Sequence, residues 1–483
     1  VRALAGDARV RSVAVQDDGA IVAVGLSFRG LGYQEAFAAR FEADGTPDTT
    51  FSGSPAYDLT GADDGVWVYD RLGNSTGSQA FERVVVDDDG QLVILGNVGE
   101  CGTCHIVARL DADGATAGHL DATFVDDLND TPGIVWPAGI VGSRLVGSFT
   151  NGHDLLELST GKLLVVGGWG DIIPLARYDD DGGADTTFDL PGDDPVAGAG
   201  RVNVRFDATS DARGLYIDMR GEVFVAGTGH LGNDARMMVN KYSCDGSALG
   251  NIFSDQVAAS FAIPGGTEGA HDLAAQPDGK LILVGSHRPT GASVDVFVLA
   301  RFDPWQYPRT LDASYGTGGW VKTDIVGAND VANAVAVQPD GKAVVVGSAG
   351  GGAASRIVVA RYTTTGVLDA AFATGGADGD GIATFDLAGA GAQGTDVALL
   401  AGGKILVAGH GRDGGDHDLA VLRLNADGTL DASFNGDGIA SHDLGGPDEQ
   451  VAAMAVAADG AIVLTGRITP DASQPALVAS DLF

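Results

Sequence analysis

The sequence predicts an all-β fold: one eight-bladed β-propeller with four antiparallel strands per blade. Three observations carry the prediction. A short apolar strand ending in Gly recurs eight times, a second landmark follows it at a fixed distance, and the composition is that of a chain full of tight turns. Of 483 residues, 74 are Gly and 57 are Asp, against only eight Glu. Gly tolerates positive φ and Asp hydrogen-bonds its own backbone two residues on, so both favour turns. The net charge of -36 excludes nucleic-acid binding by phosphate neutralisation, which needs a basic face. At 45% apolar the chain can bury a large core, and it has no apolar run of the length that spans a bilayer. The acidity favours solubility and attracts divalent cations.

The repeated strand ends at Gly25, Gly96, Gly167, Gly227, Gly285, Gly347, Gly409 and Gly466, with spacings of 57–71 residues. Six residues before each lies another Gly, from Gly19 and Gly90 to Gly403 and Gly460, and Asp precedes it in five of the eight. A Gly there, between two apolar runs, marks a hairpin turn of the positive-φ kind.

The second landmark reads AARFEADG at 38–45, VARLDADG at 107–114 and LARYDDDG at 175–182, and continues to VLRLNADG at 421–428. An Asp-x-x-Phe or Asp-x-x-Tyr follows in most copies. In the seventh unit the four strands read 381–387, 396–400, 404–409 and 418–424. Four short strands plus turns fill about 60 residues, the period of a propeller, whose range is about 4–8 blades. The expected domain is 1–483, with blades near 1–51, 52–124, 125–188, 189–253, 254–315, 316–372, 373–434 and 435–483. The opening VRALAGD reads as a first strand and the closing PALVASDLF as a fourth, which would complete the ring.

QPDGKLILVG at 276–285, QPDGKAVVVG at 338–347 and ARYTTTGVLDAAF at 360–372 resemble the delta-sixty repeat of large secreted and surface proteins of bacteria. The resemblance covers nearly the whole chain. It implies a propeller in an extracellular setting and brings no catalytic residues. An exported protein whose leader has been removed fits a chain that begins at Val1.

The recurrent Arg40, Arg109, Arg177, Arg301, Arg361 and Arg423 lie on strands otherwise made of Ala, Val and Leu. A long cation there needs a partner. Asp48, Asp121, Asp185, Asp312, Asp369 and Asp431 of the following Asp-x-x-aromatic are the natural ones, and the aromatic would plug the wedge between blades. The fourth unit has Lys241 for the Arg and Leu249 for the Asp, a coupled loss that favours a structural pair over an anion-binding ring.

Three groups of residues are candidates for chemistry. Asp179, Asp181 and Asp185, and more weakly Asp111 with Asp113, offer the alternating carboxylates that calcium takes, without the distal Glu of an EF-hand. Cys101, Cys104 and His105 spell Cys-x-x-Cys-His, which reads either as a hairpin-clipping disulfide or as the attachment point of a c-type haem. Trp67, Tyr69, Trp136, Trp169 and Trp305 interrupt the repeat, where flat rings beside polar groups could grip a sugar face. His230, His287, His410 and His417 follow the third-strand landmark on several units and could gather a metal. No nucleophile elbow, zinc-protease, P-loop or dinucleotide motif is present. The expected function is therefore non-enzymatic: an extracellular surface, matrix or filament scaffold that binds glycan, protein or divalent cation through inserted loops, with self-assembly through those loops a further option. The alternatives are a haem-bearing redox propeller and a channel-face lyase or hydrolase.

Overall fold

A computed structural model describes residues 8–29, 33–51, 65–69, 79–98, 104–111, 119–124, 140–143, 151–168, 172–185, 187–188, 201–205, 210–218, 222–231, 234–242, 259–261, 263–305, 311–374, 381–387, 389–413, 416–443, 448–457 and 459–469. The chain is a β-propeller. Blade 1 holds Ala8–Val15, Ile21–Arg29, Tyr33–Phe41 and Val66–Tyr69; blade 2 holds Gln79–Val86, Leu92–Val98, Cys104–Leu110 and Ile140–Ser143. Blade 3 is Asn151–Glu157, Leu163–Gly168, Ile172–Tyr178 and Arg201–Arg205; blade 4 is Ser210–Ile217, Val223–Leu231, Asp234–Tyr242 and Ala259–Phe261. Blade 5 comprises Gly266–Ala275, Leu281–Pro289, Val296–Phe302 and Trp320–Thr323; blade 6, Asp330–Val337, Ala343–Ala349, Arg356–Tyr362 and Ile382–Phe385. Blade 7 comprises Gly389–Leu399, Ile405–Asp413, Asp416–Leu424 and Ile439–His442. All neighbours within a blade are antiparallel. Among the described residues no helix is long and apolar enough to cross a membrane.

Among the described residues the structure has seven four-stranded blades, not the expected eight. The strand Ile382–Phe385, read from sequence as the opening of the seventh unit, is hydrogen-bonded to Arg356–Tyr362 and so forms the outer strand of blade 6. The same displacement holds all round, because the Asp-x-x-Phe linker leads back to the sheet it has just left. Ile439–His442 thereby goes to blade 7, and among the described residues the eighth repeat holds a hairpin, Asp448–Val456 and Ile462–Thr469. That hairpin touches blade 7 at the bridge His417–Asp448 and blade 1 at Arg9–Arg467, merging the three into one sheet. The first strands of successive units lie side by side in a closed circuit, which makes them the innermost strands, and the hairpin closes it. The opening residues 1–7 and the expected strand PALVASDLF lie outside the described residues.

The strand-ending glycine has a steric cause. In every unit the pairing of first and second strands slips by a residue, a β-bulge. The bulge presses a carbonyl into the second strand: a Cβ at Gly285 would lie 1.9 Å from the oxygen of Gly269, and one at Gly466 would lie 1.8 Å from that of Gln450. Only Gly fits so close a backbone approach.

The core lies between blades. Phe51, Trp67 and Tyr69 of blade 1 pack with Phe81, Leu92 and Ile94 of blade 2. Phe188 sits between blades 3 and 4, Tyr315 between 5 and 6, and Phe372 between 6 and 7. All of these rings are fully buried, each worth about 1.5–3 kcal/mol in removed apolar surface.

Candidate functional site

The repeated Arg and Asp meet across eight or more residues of chain because the Asp-x-x-aromatic loop folds back on the third strand. In blade 6 the amide of Asp369 donates to the Arg361 carbonyl, which fixes the loop beside the arginine. Arg361 Nε then lies 2.7 Å from Asp369 Oδ2. The equivalent contacts are 2.6 Å for Arg109–Asp121, 2.5 Å for Arg177–Asp185, 2.8 Å for Arg301–Asp312 and 2.7 Å for Arg423–Asp431, and Arg40 pairs with Asp48 likewise. The guanidinium groups of Arg109, Arg177, Arg301, Arg361 and Arg423 also lie over the aromatic three residues past their Asp, at 4.6 Å for Phe372 and 4.9 Å for Phe124. The arginines also reach the next blade. Arg361 Nη1 donates to the Ala426 carbonyl at 2.5 Å, and Arg109 and Arg301 donate to the carbonyls of Asp180 and Thr364.

Two repeated partners escaped the sequence reading. The Ser or Thr two residues past the Asp (Thr50, Thr123, Thr187, Ser314, Ser433) donates both amide and hydroxyl to Asp Oδ1, leaving Oδ2 for the arginine. The Lys after the hairpin Gly adds a second cation: Lys162, Lys280 and Lys342 reach Asp185, Asp312 and Asp369 at 2.8, 2.9 and 3.1 Å, and Lys404 reaches Asp431. Both were visible as recurrences in Asp-x-Ser/Thr and Gly-Lys. Burial opposes ionisation of Asp185, but hydrogen bonds from Lys162 and Thr187 and the charge of Arg177 hold its carboxyl well below the ordinary range. The same balance, with Ser314 and Lys280, depresses Asp312.

Lys162 also decides the acidic loop of blade 3. Its ammonium lies 2.8 Å from both Asp179 and Asp185, so a lysine stands between the carboxylates proposed for calcium. Asp181 caps its own turn through the Gly183 amide at 3.0 Å. Asp111 is half-buried, and Asp113 lies outside the described residues.

His105 is fully buried on the third strand of blade 2, and its Nε2 is 2.7 Å from the hydroxyl of Tyr178 in blade 3. That imidazole therefore serves the seam between two blades. Cys104 pairs with Val98 in the same sheet, and Cys101 lies outside the described residues. Trp67 and Tyr69 belong to the core, not the rim: both are fully buried, and Phe81 stacks on Trp67 at 5.4 Å. Trp136 and Trp169 lie outside the described residues. Trp305 is 41% exposed and its ring covers Lys241 Nζ at 4.0 Å. Lys241 takes Glu222 as its carboxylate, at 2.6 Å. Blade 4 thus replaces the missing Asp from its own hairpin and the missing seam bond by a ring from blade 5.

Of the histidines whose side chains are described, His410 and His417 lie together and His287 stands apart in blade 5. His287 is fully buried with Nδ1 3.0 Å from Glu268, and burial, then the charge of Lys322, pushes it down to about 4, so it is the neutral ring that donates to the carboxylate. His410 stands edge-on to His417 at 5.6 Å within blade 7. Nearby, Asp418, Asp443 and Glu449 bring carboxylate oxygens within 4.8 Å of one another where blade 7 meets the closing hairpin.

The axis holds a second set of seam contacts. On alternate inner strands the residue after the bulge accepts an amide from the next inner strand. Ser12 takes Val84 at 3.3 Å, Asp154 takes Leu215 at 3.2 Å, and Asp272 and Asp396 take Val335 and Met454 at 2.8 Å. Each Asp also accepts the amide of its own next residue. Between blades 2 and 3, Arg83 Nε lies 3.1 Å from Asp154.

Paired side chains at each seam and inner strands around one axis define a repeat protein of the β-propeller class. A family model described as a domain of unknown function (DUF5122) β-propeller matches residues 16–51, 276–304, 338–372 and 403–434. None of the curated proteins matches the chain. Among solved structures, Sqt1 of Chaetomium thermophilum is 11% identical over 97% of this chain and 96% of its own, with a TM-score of 0.47. The polysaccharide lyase Uly1 is 12% identical, covering 86% and 90% with a TM-score of 0.41. A streptogramin B lyase is 11% identical, covering 80% and 92% with a TM-score of 0.40.

Proposed function

We propose that this chain is a non-enzymatic extracellular scaffold of the delta-sixty type, recognising a glycan or protein of a cell surface or matrix through its inserted loops. The observation that carries the reading is where the repeated charges go. The arginines, aspartates and lysines that recur in the units are spent on one another within each blade, with Arg109, Arg301 and Arg361 also bonding carbonyls of the next, so the frame consumes its most regular chemistry and leaves the irregular loops to vary. Those loops include the half-exposed Trp305 and the sequence insertions near 52–64 and 125–150. Insertions on a repeat frame commonly carry binding. Divalent cations are proposed as bridging ions on the acidic surface and not as a cofactor within blade 3, where Lys162 supplies the charge.

A glycan array and a pull-down on cell-wall material, each with and without calcium chloride, test the proposal. Saturable retention of unchanged ligand is expected, reduced in Trp305→Ala. Release of cleaved or unsaturated sugar, or a Soret band in the purified protein, overturns it in favour of the enzymatic or haem-bearing alternatives.

A further inference from the structure

Three seams of the ring share one socket. Arg301 Nη1 donates to the Thr364 carbonyl of the next blade, Arg361 Nη1 to that of Ala426 at 2.5 Å, and Arg109 Nη1 to that of Asp180. The residue that offers this carbonyl rests on the hairpin Gly of its own blade. A Cβ on Gly341 would lie 3.0 Å from the Thr364 methyl, one on Gly403 3.3 Å from Ala426 Cβ, and one on Gly161 3.7 Å from Asp180 Cβ. Each of these arginines thus meets a main-chain carbonyl whose short side chain is seated on a glycine.

The seam between blade 7 and the closing hairpin has the same walls and different contents. The hairpin docks as the blades do, with the Met454 amide 2.8 Å from Asp396 Oδ2. Arg423 keeps Nε on Asp431 at 2.7 Å and Nη2 on Ser433 at 3.0 Å, but among the described residues its Nη1 has no acceptor. Gly460 is the hairpin glycine here, and among the described residues no atom lies within 4 Å of where its Cβ would stand. Arg423 is 24% exposed, against 7% for Arg361. The charge differs too. In blades 5 and 6, Lys280 and Lys342 stand between two carboxylates each, Asp278 with Asp312 and Asp340 with Asp369. With Arg301 and Arg361 added, two cations there face two anions. Blade 7 carries Gly402 where those blades carry Asp278 and Asp340. Among the described residues Arg423 and Lys404 share Asp431 alone, which leaves one positive charge over.

We propose that this seam binds the carboxy-terminus of a peptide from a partner protein. One carboxylate oxygen takes the Arg423 Nη1 bond that a carbonyl takes at the other seams, and its charge balances the surplus cation. A small last side chain lies on Gly460 as Ala426 lies on Gly403. An internal carbonyl would fill the bond and leave the charge, so a chain end is the match. A peptide fits better than an acidic sugar because the equivalent sockets hold main chain and a short side chain.

The test is fluorescence anisotropy on the whole chain with a labelled Gly-Ser peptide ending in Ala, as the free acid and as the C-terminal amide, beside a labelled glucuronate oligosaccharide. The free acid should bind saturably and about tenfold or more tighter than the amide, the effect of one charge-assisted hydrogen bond. Lys404→Met and Gly402→Asp both leave the Arg423–Asp431 pair in place, and each should erase most of that preference. Arg288→Ala, in the exposed pair of blade 5, should keep it. Equal binding of acid and amide, a preference untouched by Lys404→Met and Gly402→Asp, no saturable binding of the peptide, or binding of the uronate in its stead overturns the assignment.

Discussion

Arg361 holds two blades at once: its Nε is 2.7 Å from Asp369 Oδ2 in blade 6, and its Nη1 donates at 2.5 Å to the Ala426 carbonyl in blade 7. Both side chains are almost fully buried. Removing one partner of such a pair leaves an uncompensated charge and costs about 3–5 kcal/mol. Arg361→Ala should therefore destabilise more than Asp369→Asn, because it also strips the seam bond and the contact with Phe372. The exposed pair Arg288–Asp295, at 2.7 Å but with Arg288 55% open to solvent, should contribute little, because water screens it. Denaturant melts of Arg361→Ala, Asp369→Asn and Arg288→Ala rank the three, and equal losses at both sites contradict the seam role.

The same pairs set the acid limit. The partnered carboxyls of Asp48, Asp121, Asp185, Asp312 and Asp369 lie below the ordinary range in the folded state. A depressed carboxyl supplies stability that is complete above the unfolded value of about 3.9 and drains away as pH falls through the folded one. Unfolding on acidification should therefore begin near pH 4 and be steep, since several blades lose their seams together. Lys342→Met should move the onset to higher pH, because it removes one of the cations that hold Asp369 ionised. Circular dichroism against pH reads it directly.

The frame was more legible than the site, and the reason is visible in particular residues. Gly285 and Gly279 recur because one faces a bulged carbonyl and the other needs φ of +82°. Such steric demands recur from unit to unit among the described residues and print themselves on the sequence. The blade count failed because sequence order does not say which sheet a strand joins: Ile382–Phe385 lies closer in sequence to Gly389–Leu399 of blade 7 than to Arg356–Tyr362, yet it pairs with the latter. The axial clips were illegible for a related reason. Asp154, Asp272 and Asp396 recur every second blade, so a search at one-blade spacing passes over them. Trp67 resembled a rim aromatic because composition cannot separate a buried ring from an exposed one.

Blade 4 offers a test of compensation. Lys241 lies 4.0 Å from the Trp305 ring and 2.6 Å from Glu222, while the seams at Arg109, Arg301 and Arg361 use guanidinium, Asp and carbonyl. A desolvated cation over an indole is worth up to about 2 kcal/mol. Trp305→Ala should lower stability by about 1–2 kcal/mol and expose Lys241, and Trp305→Phe should recover part of the loss. Lys241→Arg should not stabilise, because Leu249 supplies no carboxylate where the other repeats carry Asp. Urea melts of the three variants provide the comparison.

Glycine at the foot of a wedge should be equally unforgiving. Gly428 has φ of +87°, and a Cβ there would lie 2.8 Å from the ring of Phe372. Gly428→Ala combines left-handed strain with overpacking of a buried ring, each costing about 1–3 kcal/mol. Gly436, with φ of +89° but open space around it, should show the backbone penalty alone. A thermal shift for Gly428→Ala no larger than that of Gly436→Ala would mean that the ring yields and the wedge is soft.

Glu157 carries the last expectation. It stands at the end of the inner strand of blade 3, with Oε2 accepting the Asp88 amide of blade 2 at 3.0 Å. Burial, then the charges of Asp87 and Asp88, pushes its carboxyl up to about 7. Because the folded pKa is raised, the ionised side chain opposes folding above neutrality and ceases to do so as pH falls. Its partial exposure limits the effect to about 1–2 kcal/mol at pH 8, well short of the full shift. Glu157→Gln should therefore stabilise at pH 8 and be neutral at pH 5. Added calcium chloride should raise the wild-type melting temperature at pH 8 more than that of the variant, since a divalent ion screens the carboxylates of Glu157, Asp87 and Asp88. A variant less stable than wild type at pH 8 would mean that the Asp88 contact outweighs the repulsion.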